Sequence, residues 1–254
     1  MRARKESKST TPDKARDAIL AASLPHVVFD GWSAKALAAG ARDSGAGPTG
    51  LARAFPGGAR DAALHFGAWA DHRMQTAIGN TFRRRPLRTH EKIALALKAR
   101  LRILAPHREA VRRLLAFLAR PGNAGAATTI LWRSADAVWR LAGDTSTDFN
   151  YYTKRVLLAG VYASTLLFWL DDASEDLAAT DAFLERRIAD VMKIFALRGR
   201  IRGFAGGFTA AGRVKAAMER FAPPADLRGP SVGFYAGRPG PAMLFAGQVE
   251  EKTA

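Results

Sequence analysis

The stretch WSAKALAAGARDSGAGPTGLARAFP, residues 32–56, decides the fold of this chain. Ser33 precedes apolar residues at helical spacing, which predicts a helix over 34–42 with Ser33 as its N-cap. Residues 43–45 predict a turn, and Pro48 predicts the first turn of a short third helix. Two short helices joined by a glycine-containing turn are typical of a helix-turn-helix unit.

The chain on either side of this stretch also has a helical pattern, without the alternation expected of strands. Pro25 is expected to end a first helix over residues 13–24. Further helices are expected between proline- and glycine-containing breaks, at 59–83, 88–105, 107–119, 124–142, 146–171 and 177–197. The sequence therefore predicts an all-α helical bundle.

Composition divides the chain into five segments. Residues 1–12 are basic and polar and are expected to be disordered. Residues 13–57 form the three-helix unit, and 58–197 form the main helical domain. Residues 198–220 have an amphipathic pattern, and 221–254 are expected to be a flexible tail rich in Gly and Pro.

The charge of the chain is strongly positive. Of its 254 residues, 39 are Lys or Arg and 23 are Asp or Glu, which gives a formal net charge of +16. Such an excess attracts polyanions, either nucleic acid or an anionic membrane surface, although a role in solubility alone is the alternative. Residues 198–215 hold five basic side chains and no acidic one, so this segment is the better candidate for an anionic surface.

The sequence offers little for catalysis. It has no cysteine, which excludes thiol chemistry and zinc sites built on Cys. His65 and His72 lie two helical turns apart, but the Glu-x-x-His pairs of a di-iron bundle are absent. Phosphate-binding loops and nucleophile elbows are absent as well. We therefore predict a binding protein and not an enzyme, with no catalytic residue, no metal and no cofactor.

The most distinctive segment is GDTSTDFNYYTKRVLLAGVYASTLLFWLDDASED, residues 143–176. Thr145 and Asp148 have the spacing of a capping box. Asp148, Tyr152 and Arg155 share a helical stripe, which predicts an exposed polar and aromatic edge. An exposed tyrosine is a candidate contact for a protein partner, and a half-buried tyrosine with a solvated hydroxyl is the alternative.

Two further readings follow from the same segment. The uncharged run over 156–170 is too short to span a bilayer, because 15 residues rise only about 22 Å, so we predict a buried core helix. The acidic residues over 171–176 are expected to form a solvated loop and not a cation site.

The N-terminal unit resembles the helix-turn-helix of TetR-type regulators over roughly residues 13–70. DNA reading needs polar side chains on the third helix, which here offers Thr49 and Arg53 among small and apolar residues. We therefore predict a TetR-like bundle with a degenerate helix-turn-helix and no nucleic-acid partner. A ligand-responsive repressor of the TetR type is the alternative function.

The segment over 143–176, together with FLERRIADVM at 183–192, resembles the ubiquinone-biosynthesis accessory proteins that bind lipids on a TetR-like fold. The resemblance implies a non-enzymatic protein that binds an isoprenoid quinone precursor. It also implies that the protein assists the di-iron demethoxyubiquinone hydroxylase. Asp148, Tyr151 and Tyr152 match the family's docking patch, although the family often has Trp where this chain has Tyr151.

The resemblance favours an apolar lipid cavity among the last three helices of the main domain, and ordinary core packing is the alternative reading of the same residues. The residues expected to line the cavity are Trp132, Trp139, Tyr162, Leu166, Phe168, Trp169, Phe183 and Ile188.

The segment after residue 193 is predicted to be an interfacial amphipathic helix, because apolar side chains recur at spacings of three and four beside arginines. The residues expected to contact the membrane are Ile194, Leu197, Arg198, Arg200, Ile201, Arg202, Phe204 and Phe208. Packing on the body of the protein, or a contact in a homodimer, is the alternative. The expected location is the cytoplasmic side of a bacterial inner membrane, or the mitochondrial matrix side in a eukaryote.

Overall fold

The computed structural model describes residues 11–84, 86–145 and 149–202, and in this part of the chain all regular structure is helical. The helices are α1 (Thr11–Asp30), α2 (Ala34–Asp43), α3 (Gly47–Ala54), α4 (Ala59–Arg84), α5 (Thr89–Leu104), α6 (Arg108–Leu118), α7 (Ala124–Leu141), α8 (Phe149–Asp171) and α9 (Ala178–Arg202). Short 3₁₀ turns precede α6, α7 and α9. The predicted all-α fold class is confirmed.

The first three helices form the predicted helix-turn-helix unit. The Ala36 N–H donates to the Ser33 hydroxyl at 3.2 Å, which confirms the N-cap of α2. Helix α2 packs closely on α1 because Gly40 has no side chain. A Cβ at position 40 would lie 2.6 Å from the backbone nitrogen of Ser23, closer than carbon and nitrogen can approach.

The expectation that Pro25 ends the first helix is wrong, because α1 continues through Pro25 to Asp30. A proline inside a helix loses one backbone hydrogen bond and costs about 3 kcal/mol. Here Leu24 and Val27, on either side of the proline, are buried in the core, while Pro25 itself is exposed. Burial of two large apolar side chains contributes a stabilisation of similar size, so packing overrides the local preference.

A buried tryptophan connects the N-terminal unit to the main bundle. The indole N–H of Trp32 donates to the backbone carbonyl of Ala110 in α6 at 3.0 Å. The Trp32 ring also packs against Phe66 of α4, with 5.4 Å between the ring centroids. One side chain therefore joins the segment after α1 to two helices of the main domain.

Helix α8 lies in the core of the main bundle, between α7 and α9. Five of its apolar residues are buried: Leu158, Val161, Leu166, Trp169 and Leu170. This confirms the prediction of a core helix over residues 156–170. None of the helices in the described ranges is both long and apolar enough to cross a bilayer.

At the junction between α8 and α9, Asp171, Glu175 and Asp176 are exposed, as expected of a solvated acidic loop, but Asp172 is not. Asp172 is buried, and its carboxylate accepts hydrogen bonds from the Ser174 N–H at 2.8 Å and the Thr180 N–H at 2.9 Å. The Thr180 hydroxyl donates to the same carboxylate at 2.5 Å. The Asp172 side chain is therefore buried and not solvated, because it accepts hydrogen bonds from backbone N–H groups before and within the first turn of α9.

Helix α9 continues five residues beyond its predicted end at 197, to Arg202. The predicted flexible tail, residues 221–254, lies outside the described residues, as do residues 1–10. The proposed boundaries between the N-terminal unit, the main domain and the amphipathic segment stay predictions.

We expect Asp172→Ala to lower the free energy of unfolding by about 1 kcal/mol at pH 7, the usual cost of losing a helix cap. Burial alone raises the pKa of Asp172, but the hydrogen bonds from Ser174 and Thr180 outweigh it and hold the pKa well below its usual value. A lowered folded-state pKa stabilises the protein above the unfolded pKa of about 4, and this contribution is lost as pH falls through the folded value. The difference between wild type and variant should therefore shrink on acidification.

Urea unfolding at pH 7 and pH 3 measures this difference. Asp171→Ala is the matched control, because the exposed Asp171 only pairs with Arg112 at the surface and should contribute less than about 1 kcal/mol. An Asp172→Ala effect of equal size at both pH values would contradict the capping role.

Candidate ligand-binding cavity

A cavity of about 250 Å³ lies among helices α4 to α8. Its wall is almost entirely apolar, which is typical of sites that bind apolar small molecules. The lining residues are Phe66, Gly67, Ala70, Arg100, Leu104, Val111, Leu114, Leu115, Leu118, Ala119, Ala127, Ile130, Leu131, Tyr162, Ala163, Leu166 and Leu167.

The cavity has a buried inner end and an exposed mouth. Phe66, Ala70 and Arg100 at the inner end are at most 2% exposed. Leu167 is 59% exposed, and Ala119 at the end of α6 is also exposed. A molecule that enters the cavity therefore passes between the end of α6 and helix α8.

Polar groups of the inner end form one hydrogen-bonded cluster around Arg100. Its Nε donates to Asp71 Oδ1 at 2.7 Å, and one terminal nitrogen donates to the Tyr162 hydroxyl. The other terminal nitrogen donates to the Ser134 hydroxyl at 3.0 Å and contacts the Gly67 carbonyl at 3.4 Å. Ser134 in turn donates to Asp71 Oδ2 at 3.1 Å. We call these four side chains, Asp71, Arg100, Ser134 and Tyr162, the polar cluster.

Burial determines the protonation of the cluster. It raises the pKa of Tyr162 above its usual value, so the hydroxyl is neutral at physiological pH. Burial alone lowers the pKa of Arg100, but Tyr162 and Asp71 outweigh it and raise that pKa, so the guanidinium stays charged. Burial raises the pKa of Asp71 while Arg100 opposes the rise. The Arg100 Nε lies 2.7 Å from Asp71 Oδ1, so the guanidinium in the cavity is paired with a carboxylate and is not an isolated charge.

Glycine at position 67 brings α4 and α7 together beside the cluster. A Cβ there would lie 3.1 Å from a methyl carbon of Ile130, tighter than most such contacts. The absent side chain also leaves the Gly67 carbonyl within reach of Arg100.

Of the eight predicted lipid-binding residues, the structure brings Tyr162 and Leu166 together in the cavity wall. Trp132 contacts the tyrosine rings at the start of α8, with 6.0 Å between its ring centroid and that of Tyr152. The Trp139 indole N–H donates to the carbonyl of Lys154 at 3.0 Å. Both tryptophans thus contact the first turns of α8 and do not line the cavity.

Of three other predicted residues, Phe168 and Phe183 meet at the α8–α9 contact, and Trp169 lies in the core beside Arg108 of α6. Phe168 stacks on Phe183 with 4.5 Å between ring centroids. Trp169 is fully buried beneath the Arg108 guanidinium, which lies 5.0 Å from its ring centroid. None of these three side chains lines the cavity.

Ile188, the last of the eight, lines a separate and more open groove of about 810 Å³ between α5 and α9. Charged side chains of both signs alternate there with apolar ones. The groove is lined by His90, Glu91, Ala94, Leu95, Lys98, Glu185, Ile188, Ala189, Met192 and Lys193. Lys98 crosses it to Glu185 at 2.7 Å, which ties α5 to α9.

The two predicted partner-binding tyrosines lie side by side, with 5.1 Å between their ring centroids. Tyr152 is 37% exposed, and Tyr151 is half-buried and donates from its hydroxyl to Asp136 at 3.3 Å. Together with Trp132 they form a cluster that we call the aromatic surface. Asp148, the third predicted partner-binding residue and the predicted end of the capping box, lies outside the described residues.

The expectation that Arg155 lies on an exposed edge with Tyr152 is wrong, because Arg155 is 1% exposed. Its guanidinium pairs with Asp136 at 2.7 Å and with Asp144 at 3.2 Å, and it lies 3.4 Å from the centroid of the Tyr151 ring. These two carboxylates, on α7 and just after it, draw the arginine inward. Arg155 therefore supports the aromatic surface from beneath.

The predicted membrane-binding residues fall at the edge of the described chain. The backbone of residues 194–202 belongs to α9, but the structure does not describe the side chains of this range. Phe204 and Phe208 lie outside the described residues. In α3, Thr49 and Arg53 are exposed. Within the described ranges, no group of three or more histidines and acids is arranged to hold a metal ion.

Sequence reasoning missed Asp71, Arg100 and Ser134. A signal was present for Arg100, because it occupies an interior position in the apolar stripe of α5 with Leu97 and Leu104. A charged residue in such a stripe needs a buried partner. The sequence does not say that the partner is Asp71, because that contact joins two helices.

Comparison with known proteins identifies relatives. The family model described as COQ9 matches residues 124–195. A rat protein described as ubiquinone biosynthesis protein COQ9, mitochondrial, is 35% identical, over 69% of this chain and 58% of the rat protein. The human protein of the same description is 35% identical, over 69% of this chain and 57% of its own length. The chain thus spans less than two thirds of the length of these relatives.

A more distant relative is a Dictyostelium discoideum protein described as probable ubiquinone biosynthesis protein coq9, mitochondrial. It is 29% identical, over 74% of this chain and 63% of its own length. The resemblance stated from the motif over 143–176 is therefore confirmed.

Among solved structures, a TetR transcriptional regulator from Nitrosomonas europaea matches with a TM-score of 0.56. The match covers 69% of this chain and 97% of the regulator, at 19% sequence identity. The predicted TetR-like fold is confirmed, and at this identity the likeness concerns the fold alone.

Proposed function

We propose that this chain, which belongs to the COQ9 family over residues 124–195, is a non-enzymatic lipid-binding accessory protein of ubiquinone biosynthesis. The observation that carries the proposal is the apolar cavity among α4 to α8. Its wall offers hydrocarbon surface at every position except the polar cluster, which suits an isoprenoid quinone precursor.

The partner in this proposal is the di-iron demethoxyubiquinone hydroxylase, and the aromatic surface is its docking site. Tyrosine and tryptophan are enriched where proteins bind each other, because they combine a large apolar area with a polar tip. Arg155 supports this role, since it fixes the Tyr151 ring from below while Tyr152 stays exposed.

The proposed place of action is a membrane surface, approached by the end of α9 and the residues after it. Arginines beside apolar residues in this segment suit the headgroup region of an anionic membrane. The relatives are described as mitochondrial. The corresponding location for this chain is the matrix side of the inner membrane, or the cytoplasmic side of a bacterial inner membrane.

We expect Ala163→Phe to reduce bound isoprenoid lipid at least tenfold, because its ring would fill much of a cavity of about 250 Å³. For scale, a cavity of roughly 150 Å³ takes up benzene. Organic extraction of the purified protein and mass spectrometry measure the lipid. Ala116→Phe, an equal enlargement at an exposed position of α6, should retain it. The lipid-binding function fails if wild-type protein carries none, or if Ala163→Phe carries as much as wild type.

The docking proposal predicts that Tyr151→Ala/Tyr152→Ala binds the purified hydroxylase at least about 30-fold more weakly, since a hot-spot residue contributes 2 kcal/mol or more. Calorimetric titration measures the affinity, and circular dichroism checks the fold. Phe29→Ala removes another exposed aromatic ring, 84% exposed on α1, and should bind as wild type does. Unchanged affinity of the double tyrosine variant would remove the docking assignment.

The membrane proposal predicts loss of vesicle binding when three arginines of the α9 end are replaced. Each contributes about 1 kcal/mol against an anionic surface, so binding should fall about 100-fold. The variant is Arg198→Ser/Arg200→Ser/Arg202→Ser. Its control removes equal charge from exposed positions of α2 and α3: Lys35→Ser/Arg42→Ser/Arg53→Ser. Equal flotation of the two variants with anionic vesicles would count against the membrane segment.

A further inference from the structure

The Tyr162 hydroxyl has an unused hydrogen at the inner end of the cavity. Its oxygen accepts a hydrogen bond from Arg100, which has no acceptor atom and can only donate. The remaining groups of the polar cluster bond to each other and not to this hydrogen. None of the hydrogen bonds found among the described residues uses this hydrogen. The hydroxyl is therefore free to donate to a ligand in the cavity.

The charge balance of the cluster selects the kind of ligand. Arg100 and Asp71 neutralise each other at 2.7 Å, and burial keeps Tyr162 neutral. A carboxylate or phosphate in this cavity would find no uncompensated positive charge, and its desolvation would be unfavourable. A neutral carbonyl or ether oxygen accepts a hydrogen bond from the Tyr162 hydroxyl without such a cost. The complement of this site is thus an uncharged molecule with an acceptor oxygen.

The volume of the cavity indicates which part of such a molecule it holds. About 250 Å³ exceeds the roughly 150 Å³ cavity that takes up benzene, so a substituted six-membered ring fits. A long polyprenyl chain does not fit beside it. The chain has to leave through the mouth, where the exposed Leu167 and the neighbouring Ala119 offer apolar contact.

We infer that the cavity binds a neutral quinone or phenol lipid with its ring at the inner end. A ring oxygen accepts a hydrogen bond from the Tyr162 hydroxyl, and the isoprenoid chain leaves the cavity past Leu167. This inference rests on the proposed lipid-binding function and adds the orientation of the ligand and the residues that set it. Arg100, Asp71 and Ser134 are positioning residues, because they hold the Tyr162 hydroxyl so that its hydrogen faces away from the guanidinium.

The opposite orientation conflicts with the polarity of the cavity. A chain inserted first would bring hydrocarbon against the Tyr162 hydroxyl and leave its hydrogen unpaired in a buried site. An unpaired buried donor is unfavourable, whereas the ring oxygen satisfies it.

The first test measures the affinity of two probes, a ubiquinone with a two-isoprene chain and the acyclic hydrocarbon myrcene. Tyr162→Phe should weaken binding of the quinone about tenfold, the effect of one buried hydrogen bond, and leave myrcene binding within about twofold. Thr165→Val removes another buried hydroxyl of α8, which donates to the Val161 carbonyl and does not line the cavity, and should change neither affinity.

The second test measures orientation with Tyr162 intact, which covers the case that Tyr162→Phe fails to fold. The chain contains no cysteine, so Ala119→Cys creates a single attachment site for a nitroxide label at the mouth. The label should broaden the NMR lines of the isoprenoid chain more than those of the ring methoxy groups. Reduction of the nitroxide by ascorbate provides the unbroadened reference.

The outcomes separate the two levels of the proposal. If wild type binds neither probe, the proposed lipid function fails, and this inference fails with it. If both probes bind, and Tyr162→Phe weakens neither or the label broadens the ring more than the chain, the orientation is overturned while lipid binding stands. Selective loss of the quinone together with stronger broadening of the chain supports the orientation.

Discussion

The buried ion pair of Arg100 and Asp71 is the interaction on which the interior of the main bundle depends. Two charges at the centre of an apolar bundle are tolerated only with short contacts and further hydrogen bonds, and here the 2.7 Å pair is completed by Ser134 and Tyr162. The four side chains come from α4, α5, α7 and α8, so each of these helices is held at one point. Removing one partner of such a pair typically costs about 3–5 kcal/mol, a large part of the stability of a domain.

The cavity beside this cluster arises from small residues on the surrounding helices. Gly67, Ala70, Ala127 and Ala163 line it at positions where larger side chains would close it. At roughly 24 cal/mol per Å³, an empty apolar void of about 250 Å³ would cost on the order of 6 kcal/mol. That cost is comparable to the whole stability of many domains. An apolar guest would recover much of it, which is the energetic argument for occupancy over an empty core defect.

The sequence predicted those features that depend on residues close together in the chain, such as helix positions and helix caps. Hydrophobic periodicity and breaker residues placed the helix ends to within three residues, except for the C-terminal ends of α1 and α9, and Ser33 capped α2 as its position suggests. Contacts between helices were not predictable. Pro25 stays inside α1 because the residues around it pack into the core. Arg155 is buried because it forms ion pairs with Asp136 and Asp144. Large aromatic side chains were expected in the cavity for their hydrophobicity, but a hollow forms where side chains are small.

Helix α8 relates the docking and ligand-binding parts of the proposed function, because it carries residues of both. Tyr152 lies in its first turns, Tyr162 belongs to the polar cluster, and Leu167 lies at the mouth. At a rise of about 1.5 Å per residue, the aromatic surface and the mouth are roughly 22 Å apart along the helix. An ordinary interface covers about 800 Å² on each partner, which is roughly 28 Å across. A single docked protein can therefore contact the tyrosines and reach the mouth together, so handover of a ligand needs no large movement of α8.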